Sequence, residues 1–582
     1  MPLPQRDLTR PDVWAPNASR VVLVVDDERR AMHSLDDGWW GTDQQLVPGQ
    51  RYAFSLDGGD PRPDPRSLLQ PDGVHGPSQV VDPQIFTQRP DWEGMPLGGA
   101  VLYEMHVGTF TREGTFDAAI ERIPHLVDLG IQAVEIMPVA AFAGDRGWGY
   151  DGVSLYTVHA AYGGPEAMVR FIDACHAAGI GVVLDVVHNH LGPEGNYLAE
   201  FGPYFTEKHH TPWGPAVNLD DDGNQHVRDY LKGSVRQWIC DFHVDGLRLD
   251  AVHELQDDSP LHFLADLALT VEEFQNECGR PAALIAESDL NQPATVTPVG
   301  SLPHAKGMHA QWADDVHHAI HSFVSRESQG YYHDFQTTEM LAKALERVFV
   351  HDGSFSSFRD QAWGAPVDPD SEAYNGHSFV VFMQNHDQVG NRPTGDRIGH
   401  SVDPGVQAAG AALYLLSAFT PMVFMGEEWN TSSPFPYFSH LGAELGPQVS
   451  EGRVREFAQM EWEADVPDPQ DEQTWRSAVL AWDEVGQEPH SRMLAWYRGL
   501  IALRHVEPEI HDANLRSVRV DIVDEDTVVM WRGRTAVAVT RAEGGVTVPL
   551  DASADVLAAW DDPVVEGDVL RLPGPGAAVV RT

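Results

Sequence analysis

Cysteine is scarce in this chain, and its scarcity excludes a dense disulfide framework. The 582 residues hold only Cys175, Cys240 and Cys278, an odd number with no CxxC pair. Such sparse usage is typical of proteins from a reduced compartment. The first residues also lack the apolar core of a secretory signal. We therefore expect no disulfide framework and a cytoplasmic location.

Positive charge is scarce as well. There are 39 basic residues against 87 acidic ones, a formal net charge of −48, and only four of the basic residues are lysines. A strongly acidic protein repels nucleic acids and anionic membranes, so neither is expected as a partner. With 42% hydrophobic residues the chain should fold into globular domains. A neutral substrate fits this balance best.

Long apolar runs are rare, and the one candidate for a membrane span is interrupted. Residues 408–426 are uncharged and about as long as a transmembrane helix. Pro421 divides the run, however, and its two parts predict a helix over 406–418 and a strand over 421–425. We therefore predict no membrane association.

The order of strand and helix patterns predicts an α/β protein with three domains. Residues 1–95 contain short β-rich runs separated by turns, and residues 511–582 return to such runs as a C-terminal β-sandwich. Residues 96–510 alternate strand and helix patterns, which is typical of a (β/α)8 TIM barrel with long loop insertions. The eight predicted strands cover residues 101–107, 133–138, 181–187, 246–251, 283–287, 308–312, 378–384 and 421–425.

Three acidic residues each follow an apolar run that reads as a buried strand. They are Asp250 in GLRLDAVH, Glu287 in LIAES and Asp387 in QNHDQVGNR. Barrel enzymes carry their chemistry at the carboxyl ends of the strands, and a lone buried charge is costly. Cleavage of a glycosidic bond needs one carboxyl group to donate a proton and another to attack or stabilise the sugar. The alternative is that these acids are caps or salt bridges at the barrel rim.

The neighbours of the three acids suggest different roles. Arg248 precedes Asp250 by two residues on the same strand, so its guanidinium favours an ionised nucleophile. Glu287 has apolar neighbours, and partial burial would raise its pKa towards that of a general acid. His386 and Gln388 flank Asp387 and could bind sugar hydroxyls. Trp213 could stack on a glucose ring or pack within its loop.

No metal site or cofactor is predicted. His317 and His321 have the i, i+4 spacing that can bind a metal on a helix, but no glutamate accompanies them as in HExxH. A structural role is the preferred interpretation. His188, Asn189 and His190 could also be read as metal ligands, but no partner ligands are evident.

Four segments together resemble the α-amylase superfamily, glycoside hydrolase family 13. They are DVVHNH at 185–190, GLRLDAVH at 246–253, LIAES at 284–288 and QNHD at 384–387. The resemblance implies a retaining double displacement with Asp250 as nucleophile, Glu287 as acid/base and Asp387 as transition-state stabiliser. It also implies further substrate-binding residues: Tyr150, His190, Arg248 and His386 around one glucose, and His253 towards the leaving group.

Other segments narrow this resemblance. DGWWGT, DGVHGPSQVVDP and QNHDQVGNRPTGDR are similar to superfamily members that cleave maltooligosyl trehalose next to its terminal trehalose and release trehalose. The resemblance implies an immunoglobulin-like, starch-binding-related N-terminal domain and a partner synthase that supplies the substrate. Phe358 and Arg359 would then contact the trehalose end. Two segments depart from the pattern, WADD at 312–315 and DQAWG at 360–364.

Two other functions remain open. A glucan branching transferase shares the barrel and the nucleophile segment, and it passes the glycosyl group to a sugar hydroxyl where a hydrolase uses water. Gln388 favours the hydrolase, because branching enzymes usually lack a glutamine after the third acid. A catalytically silent glucan-binding protein is the third possibility, and the intact set of Asp250, Glu287 and Asp387 argues against it.

Overall fold

A closed barrel of eight parallel strands forms the centre of the molecule. The computed structural model describes residues 6–87, 89–459 and 466–582. The barrel strands follow one another around the barrel in chain order. They are β1 (Leu102–Met105), β2 (Ala133–Ile136), β3 (Gly181–Val186), β4 (Gly246–Leu249), β5 (Ala283–Ala286), β6 (Ala310–Trp312), β7 (Phe379–Val381) and β8 (Thr420–Phe424).

The barrel interior is filled by side chains in layers of different polarity. Leu102, Ala133, Val183, Ile285 and Met422 belong to one apolar cluster. Side chains two residues further along a strand point to the same face. On three of the strands these next positions hold buried acids, Glu104, Glu135 and Asp185, and the buried Arg248 lies beside Asp185 on β4. A charged layer therefore lies above the apolar one, towards the carboxyl ends of the strands.

Amphipathic helices connect most of the strands and cover the barrel. Gly164–Ala177 is an example, since Met168, Phe171, Ile172 and Cys175 form its buried face. Between β5 and β6, where every residue is described, the chain forms only the 3-10 turn Pro293–Val296. The α-helices are Val107–Phe110, Phe116–Ile120, Ile123–Leu129, Gly164–Ala177, Leu198–Phe201, Asn224–Arg236, Phe263–Cys278, Asp314–Ser325, Thr338–Arg347, His386–Gly390, Pro404–Leu415, Leu445–Gln459, Glu472–Ser477, His490–Val506 and Pro508–His511.

Antiparallel sheets lie before and after the barrel. One N-terminal sheet contains Val13–Trp14, Trp39–Gly41 and His33–Ser34. The other contains Glu28–Ala31, Val21–Val25, Arg51–Leu56 and Ser78–Gln79. One C-terminal sheet contains Val518–Asp524, Thr527–Arg532, Thr535–Thr540, Gly576–Arg581 and Asp555–Ala559. The other contains Val546–Pro549, Val569–Leu572 and Val564–Glu566. Two hairpins, Phe205–Thr211 with Gly214–Val217 and Phe355–Ser356 with Gln361–Ala362, project from barrel loops.

The barrel confirms the predicted fold class, and the terminal sheets fit the flanking β domains. The region that was considered as a membrane span forms the helix Pro404–Leu415 and strand β8. Among the described residues, no helix combines the length and the apolar character that a membrane crossing needs.

The prediction about cysteine is wrong in one respect. Cys240 and Cys278 form a disulfide, with their Cα atoms 5.5 Å apart. Cys278 is the last residue of Phe263–Cys278, and Cys240 lies in the π-helical turn Gln237–Asp241 that follows Asn224–Arg236. The packing of these two helical segments brings together cysteines 38 residues apart. Cys175 is free and buried.

Candidate active site

The three acids meet at the carboxyl ends of the strands. Asp250 directly follows β4, Glu287 directly follows β5, and Asp387 lies in the short helix after β7. All three line one cleft of about 1150 Å³. Segments that are far apart in the chain thus converge because the parallel strands end at the same rim.

A single guanidinium connects two of the three acids, Asp250 and Glu287. Arg248 is fully buried, and its Nη1 lies 2.7 Å from Asp185 Oδ2 and 2.9 Å from Asp250 Oδ1. Its Nη2 is 3.5 Å from Glu287 Oε2, and its guanidinium lies 4.2 Å from the Trp312 ring centroid. Burial raises the pKa of Asp185 to about 6, and the positive charge of Arg248 opposes this shift.

Asp250 has a second hydrogen-bond donor. The side-chain amide of Asn189 donates to Oδ2 of Asp250 at 2.8 Å and to its backbone carbonyl at 2.7 Å. Together with Arg248, this amide fixes the carboxylate in an orientation in which Asp250 also lines the cleft. Asn189 therefore orients Asp250, a contact that the sequence did not suggest.

Glu287 is held in a different electrostatic environment. Burial raises its pKa to about 7; Arg248 opposes this shift, while Asp250 and Asp387 add to it. The backbone N–H of Ala251 donates to Oε2 at 2.5 Å. A carboxyl group with this pKa carries a proton for much of the time at neutral pH, so it can act as an acid.

Tyr150 and His386 form a stacked pair that lines the same cleft. Their ring centroids are 4.9 Å apart with the planes inclined by 22°. The Tyr150 hydroxyl donates to Asp185 Oδ2 at 2.5 Å. On its other side, His386 contacts Glu104 of β1, with Nδ1 2.5 Å from Oε1. Glu104 was not identified from the sequence.

His190 and Trp213 form another stacked pair at the cleft. Their centroids are 4.1 Å apart and their planes are inclined by 10°. Trp213 is 53% exposed, and both residues line the cleft. His190 also contacts the backbone carbonyl of Tyr150 through Nε2, at 2.8 Å. The pair leaves one indole face available in a cleft of suitable size for a sugar.

The hairpin that carries Trp213 is attached to the barrel by ion pairs. Lys208 Nζ is 2.7 Å from Asp220 Oδ2 and 3.6 Å from Asp258 Oδ2. His209, Asp220 and Asp258 are close enough together to hold a metal ion. The positive charge that these carboxylates face is the Lys208 ammonium, which fits the junction without a metal.

The remaining predicted residues divide into two groups. His253 lines the cleft, and its Nδ1 is 3.8 Å from Asp289 Oδ1. Phe358 and Arg359 are not among the lining residues. Arg359 Nη2 binds Asp289 Oδ2 at 2.7 Å, and Phe358 is 57% exposed beside it. Asp289 thus links Arg359 to the Glu287 side of the cleft.

The candidate metal pair is part of the core. His317 and His321 are buried, and His321 Nε2 lies 2.8 Å from Glu327 Oε2. The His317 ring packs near Tyr332 and Phe382. These contacts give both histidines a structural role.

The barrel and its carboxylate cluster define a class of protein, the α-amylase family of glycoside hydrolases. The family model described as "Alpha amylase, catalytic domain" matches residues 76–213. The structure is similar to a crystal structure described as an alpha amylase from Salmonella typhimurium, with a TM-score of 0.89 and 37% identity, covering 98% of this chain and 97% of the other.

Full-length relatives define the family more closely. A malto-oligosyltrehalose trehalohydrolase from Arthrobacter ramosus is 48% identical over 98% of this chain and 99% of its own length. Another from Mycobacterium tuberculosis is 46% identical over 98% of both chains. The chain belongs to the malto-oligosyltrehalose trehalohydrolase family. A 1,4-alpha-glucan branching enzyme from Vibrio parahaemolyticus is 34% identical, but it matches only 41% of this chain.

Proposed function

We propose that this protein is a retaining hydrolase of maltooligosyl trehalose. It cleaves the α-1,4 bond next to the terminal trehalose and releases trehalose. The observation that carries the proposal is that Arg248 contacts both Asp250 and Glu287. One cation thus holds two carboxyl groups with different environments beside a cleft large enough for an oligosaccharide.

In the first step an Asp250 oxygen attacks the anomeric carbon while the bond to the trehalose oxygen breaks. Glu287 gives its proton to that oxygen, and trehalose leaves. The result is a glycosyl ester on Asp250. In the second step the Glu287 carboxylate takes a proton from water, the hydroxide oxygen attacks the same carbon, and Asp250 is released. Configuration is retained because two displacements occur.

The other cleft residues bind the sugar. Asp387 stabilises positive charge on the reacting glucose, and His386 donates to one of its hydroxyls. Tyr150 and Trp213 provide aromatic faces, and His190 supports the Trp213 ring. The aromatic surfaces suit a neutral oligosaccharide in a strongly acidic protein.

The trehalose end is proposed to lie on the Glu287 side. His253 is near Asp289 there, and Asp289 holds Arg359 beside the exposed ring of Phe358. Arg359 and Phe358 would approach the trehalose unit when substrate is bound. A cytoplasmic synthase that builds the trehalose-capped substrate is the partner we propose in the same pathway.

Product analysis tests this function. Incubation with maltotriosyltrehalose should release trehalose and maltotriose, and incubation with amylose should produce little branching. The Asp250→Asn variant serves as the matched control that should release neither product. Branched glucan from amylose without trehalose from the first substrate would instead establish the transferase.

A further inference from the structure

The carboxylate of Glu104 contacts His386 in two ways. Its Oε2 accepts the backbone N–H of His386 at 2.8 Å, and its Oε1 lies 2.5 Å from Nδ1 of the same residue. Glu104 and His386 are each about 1% exposed. Because a carboxylate only accepts hydrogen bonds, Nδ1 of His386 must carry a proton here.

The opposite ring nitrogen of His386 lies near Asp387. Nε2 lies 3.6 Å from Asp387 Oδ1, and His386 lines the cleft. Tyr150 and Trp312 also lie against the ring. Two contacts on one side and aromatic rings around it leave the imidazole little freedom to flip.

Neighbouring charges keep a second proton on this ring. Burial lowers the pKa of His386, but Glu104 and Asp387 outweigh that effect and raise it to about 9, with Arg248 opposing them. The other ionisable groups that face it are His106, Glu135, Tyr150 and Asp185. Both Nδ1 and Nε2 are therefore donors at neutral pH.

Glu135 provides a natural comparison for Glu104. The two residues are directly opposite each other on β2 and β1. Neither carboxylate oxygen of Glu135 has a hydrogen-bond partner among the described residues. Burial, followed by the proximity of Glu104, raises the pKa of Glu135 well above its usual value. Both effects favour the neutral form of Glu135, whereas Glu104 faces the two N–H groups of His386.

We propose that Glu104 is a positioning residue for the hydrolysis: its carboxylate orients the His386 ring and keeps an Nε2–H donor aimed at the sugar in the cleft. The inference rests on the proposed function, because the sugar hydroxyl is the acceptor. It assigns a role in the reaction to a residue of β1, a strand that contributes none of the three acids. Without Glu104, burial would lower the pKa of His386 against the opposing effect of Asp387, and the ring would lose the contacts that fix its orientation.

Matched amide substitutions at the two positions test the proposal. Glu104→Gln removes the counter-ion, whereas Glu135→Gln replaces one neutral group with another of the same shape. At pH 7, Glu104→Gln should lower kcat/KM for maltotriosyltrehalose about tenfold to a hundredfold, as expected for a lost hydrogen bond to a charged group. Glu135→Gln should stay within about twofold of the unmodified protein, since its charge is unchanged.

The pH profile separates this role from a structural one. In Glu104→Gln, His386 should lose its proton at lower pH. The fall of kcat/KM, which deprotonation of Glu287 starts at about pH 7 in the unmodified protein, should therefore begin at a lower pH. The double Glu104→Gln, Glu135→Gln variant should behave in the same way, which excludes compensation by an ionised Glu135. An unchanged profile in both variants would overturn the proposal.

A double-mutant cycle with His386 gives the second readout. If Glu104 acts through His386, adding Glu104→Gln to the His386→Gln variant should lower kcat/KM by less than about twofold further. Additive losses would overturn the proposal. If Glu104→Gln fails to fold, Glu104→Asp keeps the charge and should retain the pH profile with a lower kcat. Failure of the unmodified protein to release trehalose would instead contradict the proposed function.

Discussion

Trp213 stacks almost parallel on His190, with 4.1 Å between the ring centroids. The stack supports one face of the indole and leaves Trp213 half exposed in the cleft. A ring in this position can bind the apolar face of a glucose unit with little loss of conformational entropy on binding.

Trp213→Ala should therefore weaken substrate binding more than turnover. An aromatic contact contributes about 1 kcal/mol, which corresponds to a KM increase of about fivefold with kcat changed by less than twofold. Steady-state kinetics on maltotriosyltrehalose measures both constants. Trp213→Phe keeps an aromatic face and should recover most of the KM effect. A loss confined to kcat would show that Trp213 does not act in binding.

Asp250→Asn should abolish turnover while the fold remains. An amide of the same shape cannot form the glycosyl ester, so kcat should fall by about 10⁴-fold or more. Arg248 keeps its contact with Asp185, so the buried cation is not left alone. Thermal unfolding should show a folded variant. Activity close to that of the unmodified protein would remove Asp250 as the nucleophile.

The raised pKa of Glu287 predicts an alkaline limit to activity. The proton donor is the protonated form, so activity is present below pH about 7 and is lost as the pH rises through that value. Above it, kcat/KM should fall tenfold per pH unit. Rates from pH 5 to 9 measure this limb. With substrates whose leaving group needs no proton, kcat/KM of Glu287→Gln should not fall as the pH rises through about 7. A fall that persists in this variant would assign the pH dependence to another residue.

Arg359→Ala should affect substrates that end in trehalose more than plain maltodextrins. The change leaves Asp289 without its guanidinium partner on the proposed trehalose side. We expect kcat/KM for maltotriosyltrehalose to fall about tenfold while hydrolysis of maltopentaose changes little, the magnitude expected for one charged hydrogen bond. Arg359→Lys should recover part of the loss, because lysine keeps the charge without the forked geometry. Equal losses on both substrates would contradict a trehalose-end role.

The Cys240–Cys278 disulfide should stabilise the fold. It spans 38 residues, and closing a loop of that length reduces the entropy of the unfolded chain, which corresponds to about 3–4 kcal/mol in the free energy of unfolding. Cys278→Ser should lower the free energy of unfolding by this amount, and a reducing agent should have the same effect on the unmodified protein.

Cys175→Ser serves as a control, because its response to reductant should match that of the unmodified protein. Thiol titration of the denatured protein should find one thiol before reduction and three after it; three before reduction would show that the bond does not form.

Features that depend on local sequence were predictable. The alternation of strand and helix patterns predicted the barrel. Arg248 was expected beside Asp250 because residues two apart on a strand share a face. The raised pKa of Glu287 followed from its apolar neighbours. These inferences needed no information about distant segments.

Features that depend on packing were not predictable in the same way. Glu104 and His386 are 282 residues apart, and nothing in the sequence around either residue identifies the other as its partner. Cys240 and Cys278 meet only because two helical segments pack together, so a search for closely spaced cysteines does not find them. The 3-10 turn between β5 and β6 also breaks the regular alternation that the barrel pattern suggested.

The carboxyl group of Glu135, which has no hydrogen-bond partner in the described part of the chain, has a consequence for protein engineering. A buried polar group without a partner makes the native state less stable by about 1–3 kcal/mol. An apolar residue of similar length, such as methionine, should therefore raise the melting temperature at this position. Thermostable variants could thus be sought inside the barrel and not only on its surface.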